Sequence, residues 1–174
     1  MPGLASTQDE FYEQARVEYA AALQRLATAY EADLETRHDL LQDIHVALWR
    51  SFANFNGLCS MRTWVYRVAH NAAVSHIVRQ RRKSGLAMVI LEDIEALPAP
   101  DESEAIDRQQ KLNQLLAMVR RLKPVDRQVI LGYLEDLDAA TIGEITGLSP
   151  QNVATKIHRI KRILCRRFRS GEQA

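Results

Sequence analysis

The stretch TIGEITGLSPQNVATKIHRI, residues 141–160, constrains the fold of this chain more than any other. Gly143 stands where two crossing helices need the smallest residue, Gly147 where the chain must turn through positive φ, and Val153 where an aliphatic side chain closes the corner. Ser149 is a natural N-cap, and Pro150 suits the first position of the helix that follows. Together they predict a helix-turn-helix. From Ser149 to Arg169 there are seven bases and no acid, which points that second helix at a nucleic-acid backbone. Gln151, Asn152, Thr155, Lys156 and Arg159 fall on its exposed, N-terminal side, with Val153, Ile157 and Ile160 facing inward. Polar groups placed so can reach base edges in a major groove, while Lys161, Arg162, Arg166 and Arg167 suit phosphates.

Helical spacing governs the rest of the chain as well. From Phe11, the residues Ala15, Tyr19, Leu23, Leu26 and Tyr30 recur at intervals of three and four, predicting one amphipathic helix. A second run uses Leu34, Leu41, Ile44 or His45, Leu48 and Phe52. The third follows NFNGLCS, with Ser60 as N-cap and Trp64, Val65, Val68 and Ala72 on one face; it ends in RQRRKSG, where basic residues suit the negative end of the helix dipole and Gly85 a C-cap. Beyond it, Ile106, Leu112, Leu115, Leu116, Val119 and Leu122 mark a helix that stops near Pro124. Short helices from about Asp126 to Leu134 and from about Ala139 to Thr146 come next. No stretch alternates as a strand would, so the expected class is all-α.

Between Ser84 and Ser103 lie Pro98, Pro100 and several acids without a sustained helical face, a composition better suited to a flexible linker than to a domain interior. The expected organisation is two small helical bundles, residues 1–83 and 104–174, joined by residues 84–103. Charge divides along similar lines. Residues 1–43 hold nine acids and three bases, and residues 44–83 hold seven bases and no acid. Residues 84–118 return to seven acids and two bases, and residues 119–174 carry eleven bases and six acids. A net charge of +1 thus conceals two basic surfaces suited to a polyanion.

The last helices, LKPVDRQVILGYLEDLDAATIGEITGLSPQNVATKIHRIKRILCRRF, resemble region 4 of the extracytoplasmic-function sigma factors, bacterial initiation factors that direct RNA polymerase to promoters. The segments HDLLQDIHVALWRSF and FNGLCSMRTWVYRVAHN resemble, in turn, the polymerase-gripping and promoter −10 parts of that family's region 2. The resemblance spans about residues 10–83 and 105–168 in the family's order. It implies that Asp39, Leu40, Gln42, Asp43 and Trp49 meet core polymerase at its clamp helices, although Leu40 and Trp49 also read as plain core, the more natural reading for Trp49. It implies that Asn56, Gly57, Leu58, Cys59 and Ser60 form a loop capturing a base flipped from the −10 element, with Asn71 in its pocket. Arg62, Arg67, Arg79, Arg81 and Arg82 would follow the opened strand, and Trp64 reads as core. Gln151, Asn152, Thr155, Lys156, His158, Arg159 and Arg162 would meet the −35 element. Ala154, where many members carry Lys or Arg, and the apolar Leu58 and Cys59 depart from the family pattern and bear on promoter sequence rather than on general role.

The function so implied is that of an alternative sigma factor, with core polymerase (clamp helices and flap), promoter DNA and an anti-sigma protein as partners and no small-molecule substrate. A regulator that binds DNA without polymerase and a helical adaptor are the alternatives. Motifs for phosphate loops, nucleophile elbows and zinc proteases are absent from the sequence. His38 and His45, two turns apart, lack a third ligand, and Cys59 and Cys165 have no metal or disulfide spacing. No enzyme activity, cofactor or metal is therefore expected. With neither signal peptide nor apolar span in the sequence, the expected location is the cytoplasm, at the nucleoid when active and held at the inner membrane if an anti-sigma protein sequesters it.

Overall fold

The structure is a computed structural model that describes residues 4–84 and 108–170, with side chains placed for residues 7–84 and 108–166. Apart from Ser84, the expected linker lies outside the described residues, as do Gly85 and Ile106. All eight described elements are helices, and the chain divides into two compact units.

The first unit holds α1 (Leu4–Glu18), α2 (Ala20–Tyr30), α3 (Leu34–Phe52) and α4 (Met61–Lys83). The single helix expected from Phe11 to Tyr30 is in fact α1 and α2. The amide of Tyr19 still donates to Ala15 O and that of Leu23 to Tyr19 O, both at 2.9 Å, so the hydrogen-bond ladder bends without breaking. The bend lies at Tyr19, whose buried ring stands edge-on to Tyr66 with centroids 6.5 Å apart. That burial pushes the Tyr19 phenol up to about 12. Past the bend, α2 packs against both α3 and α4.

Helix α3 begins where Asp33 caps it, its carboxylate accepting from the Thr36 amide at 2.9 Å. Its core stripe is Leu40, Ile44, Leu48 and Phe52, an uninterrupted i, i+4 series. This corrects the expected stripe at its start: Leu34 is 74% exposed and Leu41 only half-buried, whereas Leu40 is completely buried. Ser60 caps α4 as expected, accepting from the Thr63 amide at 3.1 Å. Because α4 packs on two neighbours, its buried stripe is broader than expected, comprising Val65, Tyr66, Ala69, His70, Ala73 and His76. Trp64, Val68 and Ala72 are half-buried at its margin.

The second unit holds α5 (Arg108–Arg120), α6 (Pro124–Leu134), α7 (Ala139–Thr146) and α8 (Pro150–Ser170). Pro124 opens α6 rather than merely ending α5, its fixed φ suiting a first helical turn. The Arg127 side chain, 4% exposed, returns from α6 to cap α5. Its guanidinium donates to Val119 O and Leu122 O, each at 3.2 Å, and to Arg120 O. Asp138 caps α7 by accepting from the Thr141 amide at 2.7 Å. Gly147 ends that helix at φ 78°, and Ser149 caps α8 by accepting from the Asn152 amide at 3.2 Å. A Cβ on Gly143 would lie 2.6 Å from Leu148 O, so this glycine lets the turn fold back onto α7.

Candidate nucleic-acid interface

Helix α8 is built as its sequence requires, with Val153 and Ile160 fully buried, Leu164 nearly so and Ile157 half-buried. The opposite side leaves Gln151, Asn152, Thr155, His158 and Arg162 exposed. Arg159 is exposed as expected and Lys156 is half-buried, and both reach back to α6. Lys156 Nζ donates to Asp126 Oδ1 at 2.6 Å, and Arg159 Nη2 to Asp126 Oδ2 at 2.8 Å. The carboxylate is 3% exposed on α6, so one interior acid holds the ends of two bases on the expected reading face. Lys161 likewise leans on α6, 3.0 Å from the Tyr133 hydroxyl and 4.8 Å from its ring centroid.

In the first unit the loop of residues 53–60 joins α3 to α4 above an aromatic cluster. Phe55 meets Phe11 edge-on at 5.2 Å, Phe52 at 5.9 Å and Trp64 at 5.3 Å between centroids. Trp64 Nε1 also donates to Ser51 Oγ at 3.0 Å, so its ring supports the loop. Above this base the loop stands open. Gly57 takes φ 72°, Asn56 Oδ1 accepts from the Leu58 amide at 3.2 Å, and the Leu58 side chain is 88% exposed. Cys59 is half-buried. On α4, Arg62, Asn71, Arg79, Arg81 and Arg82 are exposed and Arg67 is half-buried, while the Arg62 guanidinium sits 6.0 Å from the centroid of the Tyr66 ring.

The residues expected to meet polymerase fare unevenly. Asp39 and Gln42 are exposed, with Gln42 Nε2 3.1 Å from His38 Nε2. Leu40 is core and has no surface to offer a partner. Trp49 reverses the core reading: it is 44% exposed, and its indole N–H donates to Asp9 Oδ1 at 2.8 Å. Asp43 is turned toward α4. Its Oδ2 lies 2.7 Å from Nδ1 of the buried His76 and is also bonded to Arg79, so that arginine is tied within its own unit. Helical spacing missed Asp9, His76 and Asp126. Of these, Asp126 alone left a local trace, an acid in the first turn of its helix.

Partial burial pushes the Asp43 carboxyl up, but the hydrogen bond from His76 and the charge of Arg79 outweigh it, holding the group below the ordinary carboxylate value of about 4. A depressed folded-state value stabilises above the unfolded value, and the stabilisation disappears as pH falls through the folded one. Asp43→Asn is therefore expected to melt below the wild type at pH 7, the gap closing below about pH 4. Thermal melts from pH 7 to 3 measure it; a gap independent of pH would leave Asp43 no ionic role.

Among the described residues no three His, Cys, Asp or Glu side chains gather as a metal site, and no helix is long and apolar enough to cross a membrane. A capped helix-turn-helix with a basic outer helix, and a separate helical unit whose loop stands open on an aromatic base, make an all-helical chain of two units with one surface suited to DNA. The family description Sigma-70 region 2 matches residues 17–83, and Sigma-70, region 4 matches residues 112–164. RNA polymerase sigma factor YlaC of Bacillus subtilis is 30% identical over 129 residues, covering 74% of this chain and 75% of that protein. RNA polymerase sigma-H factor of Pseudomonas aeruginosa is 28% identical over 141 residues, covering 80% and 70%. The chain belongs to the extracytoplasmic-function sigma factors and acts as an alternative sigma factor in transcription initiation.

Two solved structures share the fold at 18% identity. CnrH in complex with the cytosolic domain of CnrY has a TM-score of 0.66, covering 96% of this chain and 93% of that one. The sigma factor RpoE in complex with the anti-sigma factor NepR from Bartonella quintana has a TM-score of 0.67, covering 91% and 96%.

Proposed function

We propose that residues 1–83 carry the polymerase and −10 contacts, residues 84–103 connect, and residues 104–174 carry the −35 contacts of a two-part promoter. The partners of this sigma factor are core RNA polymerase and promoter DNA. The observation that carries the division of labour is the pairing of two dissimilar surfaces in one chain. One is an open loop, residues 53–60, leading into α4, which carries the exposed Asn71; the other is a basic helix with exposed amides and hydroxyls near its N-terminus. The first suits an unstacked base and the second an intact major groove.

On this reading Asn56, Gly57, Leu58, Cys59 and Ser60 enclose a flipped base, Asn71 bonds its edge, and Arg62, Arg67, Arg81 and Arg82 follow the strand. Arg79 joins them with the donors its bond to Asp43 leaves over. Asp39, Gln42 and Trp49 meet the clamp helices, Asp43 and Leu40 serving behind them as ion-pair partner and core. Gln151, Asn152, Thr155, His158 and Arg159 read the −35 groove, with Lys156 and Arg162 nearer its phosphates. No chemical step is catalysed by the chain; the free energy of capturing flipped bases offsets the cost of unstacking. The protein works in the cytoplasm, and an anti-sigma protein covers it when inactive, a reading supported by the complexes in which its fold neighbours were solved.

Asn71→Ala tests the base-capture role. In run-off transcription with reconstituted holoenzyme, the variant should lose its discrimination among −10 sequences by about five-fold or more while still transcribing. A uniform loss across all −10 sequences would instead make Asn71 structural.

A further inference from the structure

The clamp of Asp126 on two bases of α8 has no part in the contacts assigned above. Its carboxylate is 3% exposed, and each oxygen takes one cation, Lys156 Nζ at 2.6 Å and Arg159 Nη2 at 2.8 Å. The two bases lie three residues apart on α8, almost one turn, so a single acid on α6 reaches both. The Arg159 side chain nevertheless remains 49% exposed, against 30% for Lys156. A guanidinium carries five N–H donors in a rigid fork, so one nitrogen bound to a carboxylate leaves others able to face a base.

From this geometry we infer that Asp126 is a positioning residue for promoter specificity, holding Arg159 at the orientation in which it reads a −35 base. The inference rests on the reading of Arg159 as a base contact and adds what aims it. A long arginine on an exposed helix has many rotamers, most of which bring its charge to the nearest phosphate. Fixing one edge of the guanidinium removes that freedom before DNA arrives, and Lys156 balances the carboxylate so that the buried acid does not repel the approaching backbone. Without the acid, Arg159 turns to a phosphate as well; affinity for any duplex is kept or rises while discrimination falls.

The test uses full-length chain reconstituted with core polymerase and a pool of templates randomised across the −35 and −10 hexamers. Sequencing the transcripts gives a base-preference profile. As a ratio among sequences, the profile does not depend on how much of a variant is active. Arg159→Ala identifies the position Arg159 reads. Asp126→Asn should then flatten preference at that same position by at least about five-fold, with no further loss in the double variant. The variant's promoter binding should also fall more steeply with salt, by about one phosphate contact. A profile that Arg159→Ala alters but Asp126→Asn preserves would make Asp126 a structural acid and overturn the inference while the base contact stands. A profile unmoved by Arg159→Ala would remove the base contact itself, and the inference with it. Should Asp126→Asn give no transcript, Asp126→Glu, with the carboxylate displaced by one methylene, is read by the same criteria.

Discussion

Gly143→Ala is expected to destabilise the C-terminal unit by about 3 kcal/mol and, on the proposed division of labour, to abolish −35 binding with it. The reason is local and severe. A Cβ at this position would stand 2.6 Å from the backbone oxygen of Leu148, and a carbonyl in a tight turn cannot rotate aside as a flexible side-chain end can. Relief requires α7 and the turn to separate, which would draw Val153 from its buried site and change the angle at which α8 leaves the corner. Gly147→Ala is the natural control. Its φ of 78° makes alanine unfavourable, but nothing lies within 4 Å of the added carbon, so the expected cost is the left-handed backbone penalty of about 1 kcal/mol. Denaturant titration of both variants measures the difference. Equal stabilities would mean that close approach at Gly143 is not what shapes the turn.

Arg127 is the second position where a single change should be costly. Its guanidinium donates to three carbonyls at the end of α5, the oxygens of Val119, Arg120 and Leu122, from a site 4% exposed. Hydrogen bonds from a charged donor contribute about 1.5–3 kcal/mol each, less the cost of desolvating the cation. Arg127→Met fills the volume but leaves those carbonyls without their donor, so a loss of about 3 kcal/mol is expected. Arg127→Lys keeps the charge but replaces a planar fork with a point donor, and should recover only part of that loss. A lysine variant as stable as the wild type would show that charge, not the fork, caps α5.

Both residues belong to segments the amino-acid sequence already marks, and the contrast between them shows how far local reasoning reaches. The glycine, cap and proline of residues 143–150 act within a few residues of one another, so their spacing alone foretells the turn. The same holds for Ser60 and for the extents of α3 and α7. Periodicity specifies that a helix has an apolar side, but the phase is ambiguous where several aliphatics crowd together. The start of α3 therefore reads as Leu34 and Leu41 when Leu40 is the buried residue. Tyr19 bends its helix to follow neighbours that spacing cannot reveal.

The interface was less legible than the fold for the same reason. Asp126 lies 30 and 33 residues from the bases it holds, and Asp43 lies 33 and 36 from His76 and Arg79. Such pairs are created by packing and leave no period or spacing in the chain. Two groups expected to face partners, Asp43 and Arg79, are also joined to each other, and Trp49, more naturally read as core, is held at the surface by Asp9. Residue type and position on a helix predicted exposure well along α8, where one side packs and the other does not. They predicted poorly at the start of α3 and on α4, where Leu40, Tyr66, His70 and His76 are buried outside the expected stripes.

Size-exclusion chromatography of the purified chain with bacterial core RNA polymerase at moderate salt shows whether the two units work together on polymerase. The expected result is a stoichiometric complex that initiates run-off transcription from templates neither component uses alone. A chain that eluted apart from polymerase yet bound duplex DNA unaided would contradict it.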